Sequence, residues 1–154
     1  MMKTKNLILL GLLAILFAAC SKDDDGQDEL DDQIIQDYLN QHNLDADSHP
    51  SGMFYIIEDE GTGEHPETNA TVEVLYIGSL TNGNVFDETT GNAPVSFPLQ
   101  NLIEGWKIGI PLMKKGGSAT FFIPSRLGYG STAHYGIPAN SVLIFEITLV
   151  NFTN

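Results

Sequence analysis

The chain has 154 residues, 42% of them hydrophobic and 18% charged, with a single cysteine: room for one domain with a real core and no need of disulfide staples. A formal net charge of −13, from 20 acidic against 7 basic side chains, excludes a binder that tracks nucleic-acid phosphates, because that role needs a basic patch. The acidity is concentrated early, since residues 21–47 hold ten acids against Lys22 alone.

Residues 1–19 have the layout of a signal peptide. Lys3 and Lys5 precede an uncharged apolar run, LILLGLLAILF over residues 7–17, and the small residues Ala18 and Ala19 close it. A spanning helix wants about 20 apolar residues, and this run is shorter. Cys20 follows at once, and FAAC resembles the bacterial lipobox, whose cysteine receives a diacylglycerol and becomes the first mature residue; Phe17 departs from the commoner leucine. A lone thiol in an oxidising envelope is otherwise a liability. Lipidation of Cys20 is therefore expected, with membrane attachment through that lipid and a place in the cell envelope, at the outer membrane.

Residues 20–27 read as an acidic tether, because a like-charge block without apolar side chains cannot fold alone. Within it SKDDD, residues 21–25, is also similar to the acidic tag that sends some Gram-negative lipoproteins to the outer face of the outer membrane. Residues 28–47 form the next unit. Leu30, Ile34, Ile35, Tyr38 and Leu39 fall on one stripe of an amphipathic helix that Asp28 can cap. The stripe suits packing on the chain's own domain, and a dimerisation or client-docking face is the alternative. Turn formers and Pro50 in residues 45–52 read as a linker.

The main domain occupies residues 48–154. Strands are expected at 54–58, 71–76, 118–123 and 141–150, rich in β-branched and aromatic residues and separated by turn signals such as Thr81-Asn82-Gly83-Asn84. One segment breaks the pattern: residues 101–108 put Leu102, Ile103 and Trp106 at helical spacing, with Asn101 as a cap and Pro111 beyond the end. The expected class is α+β, an antiparallel sheet folded over one short helix, preceded by the N-terminal amphipathic helix.

Familiar catalytic sets are missing from the sequence. The histidines, His42, His49, His65 and His134, have no metal-ligand spacing, and no thiol besides Cys20 could complete a zinc site. Gly61-Thr62-Gly63 and Gly128-Tyr129-Gly130 are too short for phosphate loops and no nucleophile elbow occurs, so neither a metal nor a cofactor is expected. What remains is a density of aromatic residues near turns: Tyr76, Phe86, Phe97, Trp106, Tyr129 and Phe145. Each could simply be core.

The order of motifs says more. VLYIG (74–78), GNVFDET (83–89), NLIEGW (101–106), GYG (128–130) and SVLIFEITL (141–149) follow one another in a register that resembles the FK506-binding-protein family of peptidyl-prolyl cis-trans isomerases, over about residues 53–152. The resemblance implies a proline pocket floored by Trp106, with Tyr76, Phe86 and Phe145 as aromatic walls, Leu102 and Ile103 as the rim, and Phe97 beside it. It further implies Tyr129 as a flap residue whose hydroxyl binds a substrate carbonyl, Ile137 as the apolar flap contact, the Ile103 amide as an anchor, and Asp87 as the polar group facing the reacting amide. An aspartate after a turn can instead hydrogen-bond local backbone.

The chain departs from the family in a short loop, ETTGNA (88–93), that lacks the arginine commonly paired with the aspartate. Val95 stands where phenylalanine often closes the wall, and the flap is about one residue short. The implied partners are proline-containing polypeptides and, weakly, FK506-like macrolides. The implied function is isomerisation of exported or envelope proteins. The alternative is a non-catalytic chaperone or protein-binding module, with the N-terminal helix as partner surface. If SKDDD directs display, changing Asp23, Asp24 and Asp25 to alanine makes the protein resistant to protease shaving of intact cells; equal sensitivity in both strains refutes the tag.

Overall fold

The computed structural model describes residues 22–154. Helix α1 (Lys22–His42) precedes strands β1 (Asp47–Ser48), β2 (Phe54–Asp59), β3 (Thr71–Leu80), β4 (Val85–Glu88) and β5 (Val95–Pro98); helix α2 (Glu104–Gly109), β6 (Ser118–Ile123) and β7 (Leu143–Thr153) follow. All pairings are antiparallel, in the order β1-β2-β6-β7-β3-β4, with β5 also on β3. No described helix is long and apolar enough to cross a membrane. Cys20 and the signal-like run lie outside the described residues.

The long strands β3 and β7 form the spine of the sheet, paired from Thr71 opposite Thr153 to Leu80 opposite Leu143. The other edge of β3 is shared, its first half by β5 and its second half by β4. Alternation turns Val72 and Val74 of β3, Ala119, Phe121 and Ile123 of β6, and Leu143, Phe145, Ile147 and Leu149 of β7 to one face. There they enclose Trp106 and Ile110 of the α2 segment. Two glycines one turn apart let α2 approach β6 closely. A Cβ at Gly105 would stand 2.6 Å from Ile123 Cδ1, and one at Gly109 would stand 2.8 Å from Phe121 Cε1.

The opposite face carries a second apolar layer. Phe54, Phe122 and Ile144 meet Ile35 and Leu39 of α1, with Ile34 and Tyr38 at the edge. The amphipathic stripe is therefore spent on its own domain, as the spacing suggested, although Leu30 remains 49% exposed. The helix itself differs from expectation. It begins at Lys22 and ends at His42, so Asp28 lies inside it rather than capping it. Docking stabilises a stretch too acidic to fold alone, because tertiary packing supplies most helical stability.

Three further differences concern short elements. Residues 45–52 are not merely a linker: Asp47 and Ser48 pair with Tyr55 and Phe54 as an edge strand. Strands β4 and β5 are not among the expected strands, since each has only four residues, mostly exposed. Helix α2 starts after Ile103, which caps it without a side-chain bond, while Asn101 ends a separate 3-10 turn, Leu99–Asn101. Pro111 does not end the segment either, because it fits the first turn of a further 3-10 helix, Ile110–Leu112.

The glycine contacts predict that Gly105→Ala destabilises the protein by about 1–3 kcal/mol despite alanine's better helix propensity, through overpacking against Ile123. Urea unfolding should show a lowered midpoint at unchanged slope. A midpoint equal to that of the parent would mean that α2 can lift from β6 without penalty.

Candidate active site

A cleft of about 150 Å³ opens where α2, β3, β4 and β7 meet, lined by Tyr76, Phe86, Asp87, Phe97, Leu102, Ile103, Trp106, Tyr129 and Phe145. Apolar cavities of about this size accept a benzene-sized ring. Trp106 is the centre, with only 4% of its surface exposed. Tyr76 and Phe145 each stand edge-on to it with centroids 5.2 Å away, and Phe97 does the same at 6.3 Å. Phe86 meets Phe145 edge-to-face at 5.5 Å. Such geometry is favoured by ring quadrupoles, so the rings hold one another upright around the indole. Among the described residues, the indole N–H is the one buried side-chain polar group without a partner.

Two backbone features create this cluster. Gly78, opposite Asp87, leaves room for the rings: a Cβ there would lie 2.7 Å from Phe86 and 2.8 Å from Phe145. The register between β3 and β4 then shifts, Gly78 facing Asp87 but Ser79 facing Val85. The extra residue is Phe86. A bulge bends the strand and re-aims side chains, which is how consecutive Phe86 and Asp87 both reach the cleft although strand alternation would separate them.

Asp87 is held by Tyr76, whose hydroxyl donates to its Oδ2 at 2.7 Å. The aspartate thus has a partner from β3, with no arginine involved. The family resemblance implies Tyr76 as an aromatic wall and does not foresee its bond to Asp87, since the link runs diagonally across a strand pair whose register the sequence does not show. Burial, then the hydrogen bond to Asp87 and its charge, then the nearby Tyr129, raise the Tyr76 phenol well above its usual range. Burial and the charge of Asp87 raise Tyr129 too. Both hydroxyls stay protonated, and able to donate, at neutral pH.

Tyr129 reaches the cleft from the loop after β6. Its ring stacks on His134, centroids 4.5 Å apart and planes 17° from parallel. His134 and Ile137 exchange backbone hydrogen bonds around Tyr135 and Gly136, both at positive φ (37° and 85°), a tight type I′ geometry that forms the flap tip. Ile137 does not line the cleft; it is 4% exposed and packs in the core below the flap. Sequence reasoning did not single out His134 as a partner of Tyr129, because no spacing rule joins two loop residues across a turn. Val95 is 40% exposed and closes no wall. A larger hollow of about 570 Å³ on the outer sheet face, lined partly by Glu58, Glu88 and Glu146, has only Tyr76 among aromatic residues and so offers no ring cage.

A family model described as FKBP-type peptidyl-prolyl cis-trans isomerase matches residues 62–150. The chain belongs to this family. FKBP-type peptidyl-prolyl cis-trans isomerase FkpA of Aeromonas hydrophila is 43% identical over 101 residues, 65% of this chain and 38% of that protein. FkpA of Escherichia coli K12 is 40% identical over 66% of this chain and 38% of its own length. The crystal structure of Escherichia coli FkpA superposes with a TM-score of 0.72 at 33% identity, covering 84% of this chain and 61% of that one. A peptidyl-prolyl cis-trans isomerase from Pseudomonas syringae gives 0.73 at 26% identity, covering 88% and 99%. The chain thus spans about two fifths of the length of the curated FKBP-type relatives it matches.

The raised phenols give a signed prediction. Unfolded tyrosines ionise near pH 10 and the folded ones later, so above about pH 10 the unfolded chain binds fewer protons and stability falls with rising pH. Below that pH the contribution is constant. Urea midpoints of the parent and Tyr76→Phe should converge between pH 9 and 11; a gap that widens with pH would contradict the raised phenol.

Proposed function

We propose that the protein is a peptidyl-prolyl cis-trans isomerase acting on X-Pro bonds of exported or envelope polypeptides. The observation that carries this reading is the ring-sized aromatic cleft over Trp106 with two polar groups, Asp87 and Tyr129, at its lining. The rotation barrier of about 18–20 kcal/mol is amide resonance, and uncatalysed X-Pro exchange takes about 10–100 s. No proton need be moved to lower it. A dry pocket disfavours the charge-separated planar amide relative to the twisted one, which has lost that resonance.

In this scheme the proline ring sits on Trp106 between Tyr76, Phe97 and Phe145. Leu102 and Ile103 flank its entrance, and the Ile103 amide serves as a further anchor. The Tyr129 hydroxyl donates to a substrate carbonyl and fixes one side of the bond while the other turns. Asp87, steadied by Tyr76, faces the reacting amide with its negative charge. FK506-like macrolides would occupy the same cleft weakly, because Asp87 lacks an arginine partner and Val95 leaves one side open. The lipobox-like FAAC supports attachment at Cys20 and a location at the outer membrane. The alternative, a binding module that uses the N-terminal helix as its surface, loses support because the apolar stripe of α1 is already covered by β2, β6 and β7.

The purified protein, kept in detergent, should accelerate a proline-limited refolding reaction at micromolar concentration. Asp87→Val and Tyr129→Phe should each lower kcat/KM roughly tenfold, about 1.4 kcal/mol of transition-state stabilisation. No acceleration by the parent protein overturns the isomerase reading.

A further inference from the structure

The loop that carries Tyr129 is tied to helix α1 on the far side of the sheet. After β6 the chain makes a 3-10 turn, Ser125–Leu127, and reaches Gly128-Tyr129-Gly130. One residue governs that passage, through the peptide units on either side of it. The Ser125 carbonyl accepts from Gly128 N–H at 2.9 Å and from Gly130 N–H at 2.8 Å, the two amides that bracket Tyr129. The Ser125 N–H in turn donates to Asp31 Oδ2 at 2.7 Å, across 94 residues of sequence.

Asp31 is fully buried, as is nearly all of Ser125. Its other oxygen accepts from Gln27 Nε2 at 2.7 Å, so both oxygens of the carboxylate are used. Beside it, Arg126 Nε donates to Asp28 Oδ1 at 2.7 Å, and the same guanidinium donates to the Ser51 carbonyl. Docking of α1 does not require a buried carboxylate: Ile35 and Leu39 already provide the apolar contact, and a well-packed apolar residue often serves as well as a buried charge. What Asp31 adds is an acceptor at the start of the turn. A charge-assisted bond to a backbone N–H is short and directional, suited to fixing the Pro124–Ser125 peptide from which the turn starts.

We propose that Asp31 is a positioning residue for Tyr129, acting through the backbone of Ser125, so that α1 is a working part of the active site though it does not line the cleft. This rests on the isomerase reading above. With Asp31 in place the Ser125 carbonyl is aimed at Gly128 and Gly130, and the Tyr129 hydroxyl is delivered to the cleft in one orientation. Without it the turn keeps its sequence but loses its outer anchor, and Tyr129 samples other positions.

A double-mutant cycle in the full-length chain in detergent tests the link. Asp31→Ala should lower kcat/KM about fivefold to tenfold when Tyr129 is present, and less than about twofold in the Tyr129→Phe background, because coupled residues are non-additive. Asp31→Asn, whose amide oxygen can still accept from Ser125, should recover most of the loss. Equal losses in both backgrounds, or no difference between the alanine and asparagine variants, overturn the proposal.

Backbone amide exchange gives a readout free of activity. Gly128 and Gly130 should exchange at least about tenfold faster in Asp31→Ala while Phe121 in the β6 ladder is unchanged. Unchanged exchange at both glycines also overturns the proposal, whereas an inactive parent together with glycines that exchange faster in Asp31→Ala would refute only the isomerase reading. Should the alanine variant fail to fold, Asp31→Leu, close in size to aspartate, keeps the helix docked and carries the same measurements.

Discussion

The seating of α2 on β6 is the contact on which the rest of the site depends. Gly105 and Gly109 press helix backbone against Ile123 and Phe121 with no room for a methyl group between them. Trp106 lies between these glycines in sequence and faces the cleft, so the depth of its indole is set by how near the helix can come. Three rings of the cleft then take their distance from the tryptophan, 5.2 Å for Tyr76 and Phe145 and 6.3 Å for Phe97. The glycine at position 78 repeats the principle on the sheet, where the absence of a side chain makes space for Phe86 and Phe145 to meet. The apolar chemistry of the cleft is thus written in its aromatic residues, but its shape is written in glycines.

This division explains what could be read in the sequence. Long strands announce themselves by apolar and β-branched runs, and β2, β3, β6 and β7 all lie near their expected positions. The four-residue edges β4 and β5 do not, because turn formers flank them and their side chains are largely exposed. Yet β4 is where the bulge brings Phe86 and Asp87 onto one surface, a feature decided by pairing with β3 and invisible to local pattern. The cap of α2 was misplaced for a related reason: Asn101 has the chemistry of a cap, but Leu99–Asn101 close a turn of their own first. Nine of the ten cleft and flap residues named from the motif order converge on the cleft. The tenth, Ile137, is drawn into the core by the tight turn at the flap tip.

The acidic N-terminal segment illustrates how tertiary context overrides composition. By charge alone residues 22–27 belong to a solvated tether, yet they continue a helix whose apolar stripe is buried against Phe54, Phe122 and Ile144. Packing this helix on the outer face gives the sheet a layer on each side, one holding the cleft and one bracing it. Charges on the helix are used selectively. Asp28 and Asp31 face the Ser125–Arg126 turn and find partners there, so part of the charge that dominates the composition serves the fold.

The proposed reaction moves no proton and therefore places unusual weight on such bracing. Acid-base catalysis depends on both the placement and the pKa of its groups, but a rotating amide gains only from where rings, hydroxyls and dry surface stand relative to it. The titratable groups of the cleft fit this logic. Tyr76 and Tyr129 are pushed by burial and by Asp87 toward permanent protonation, which makes them fixed donors and removes them as acids. Geometry is then the remaining variable, and it is set by residues outside the cleft: Gly78 under the rings, Gly105 and Gly109 beneath the helix, and Asp31 behind the turn that ends in Tyr129. A carboxylate buried on the far side of the sheet is an expensive way to fasten a helix that Ile35 and Leu39 already dock, and the bond it accepts from Ser125 N–H places it at the start of the turn that leads to Tyr129.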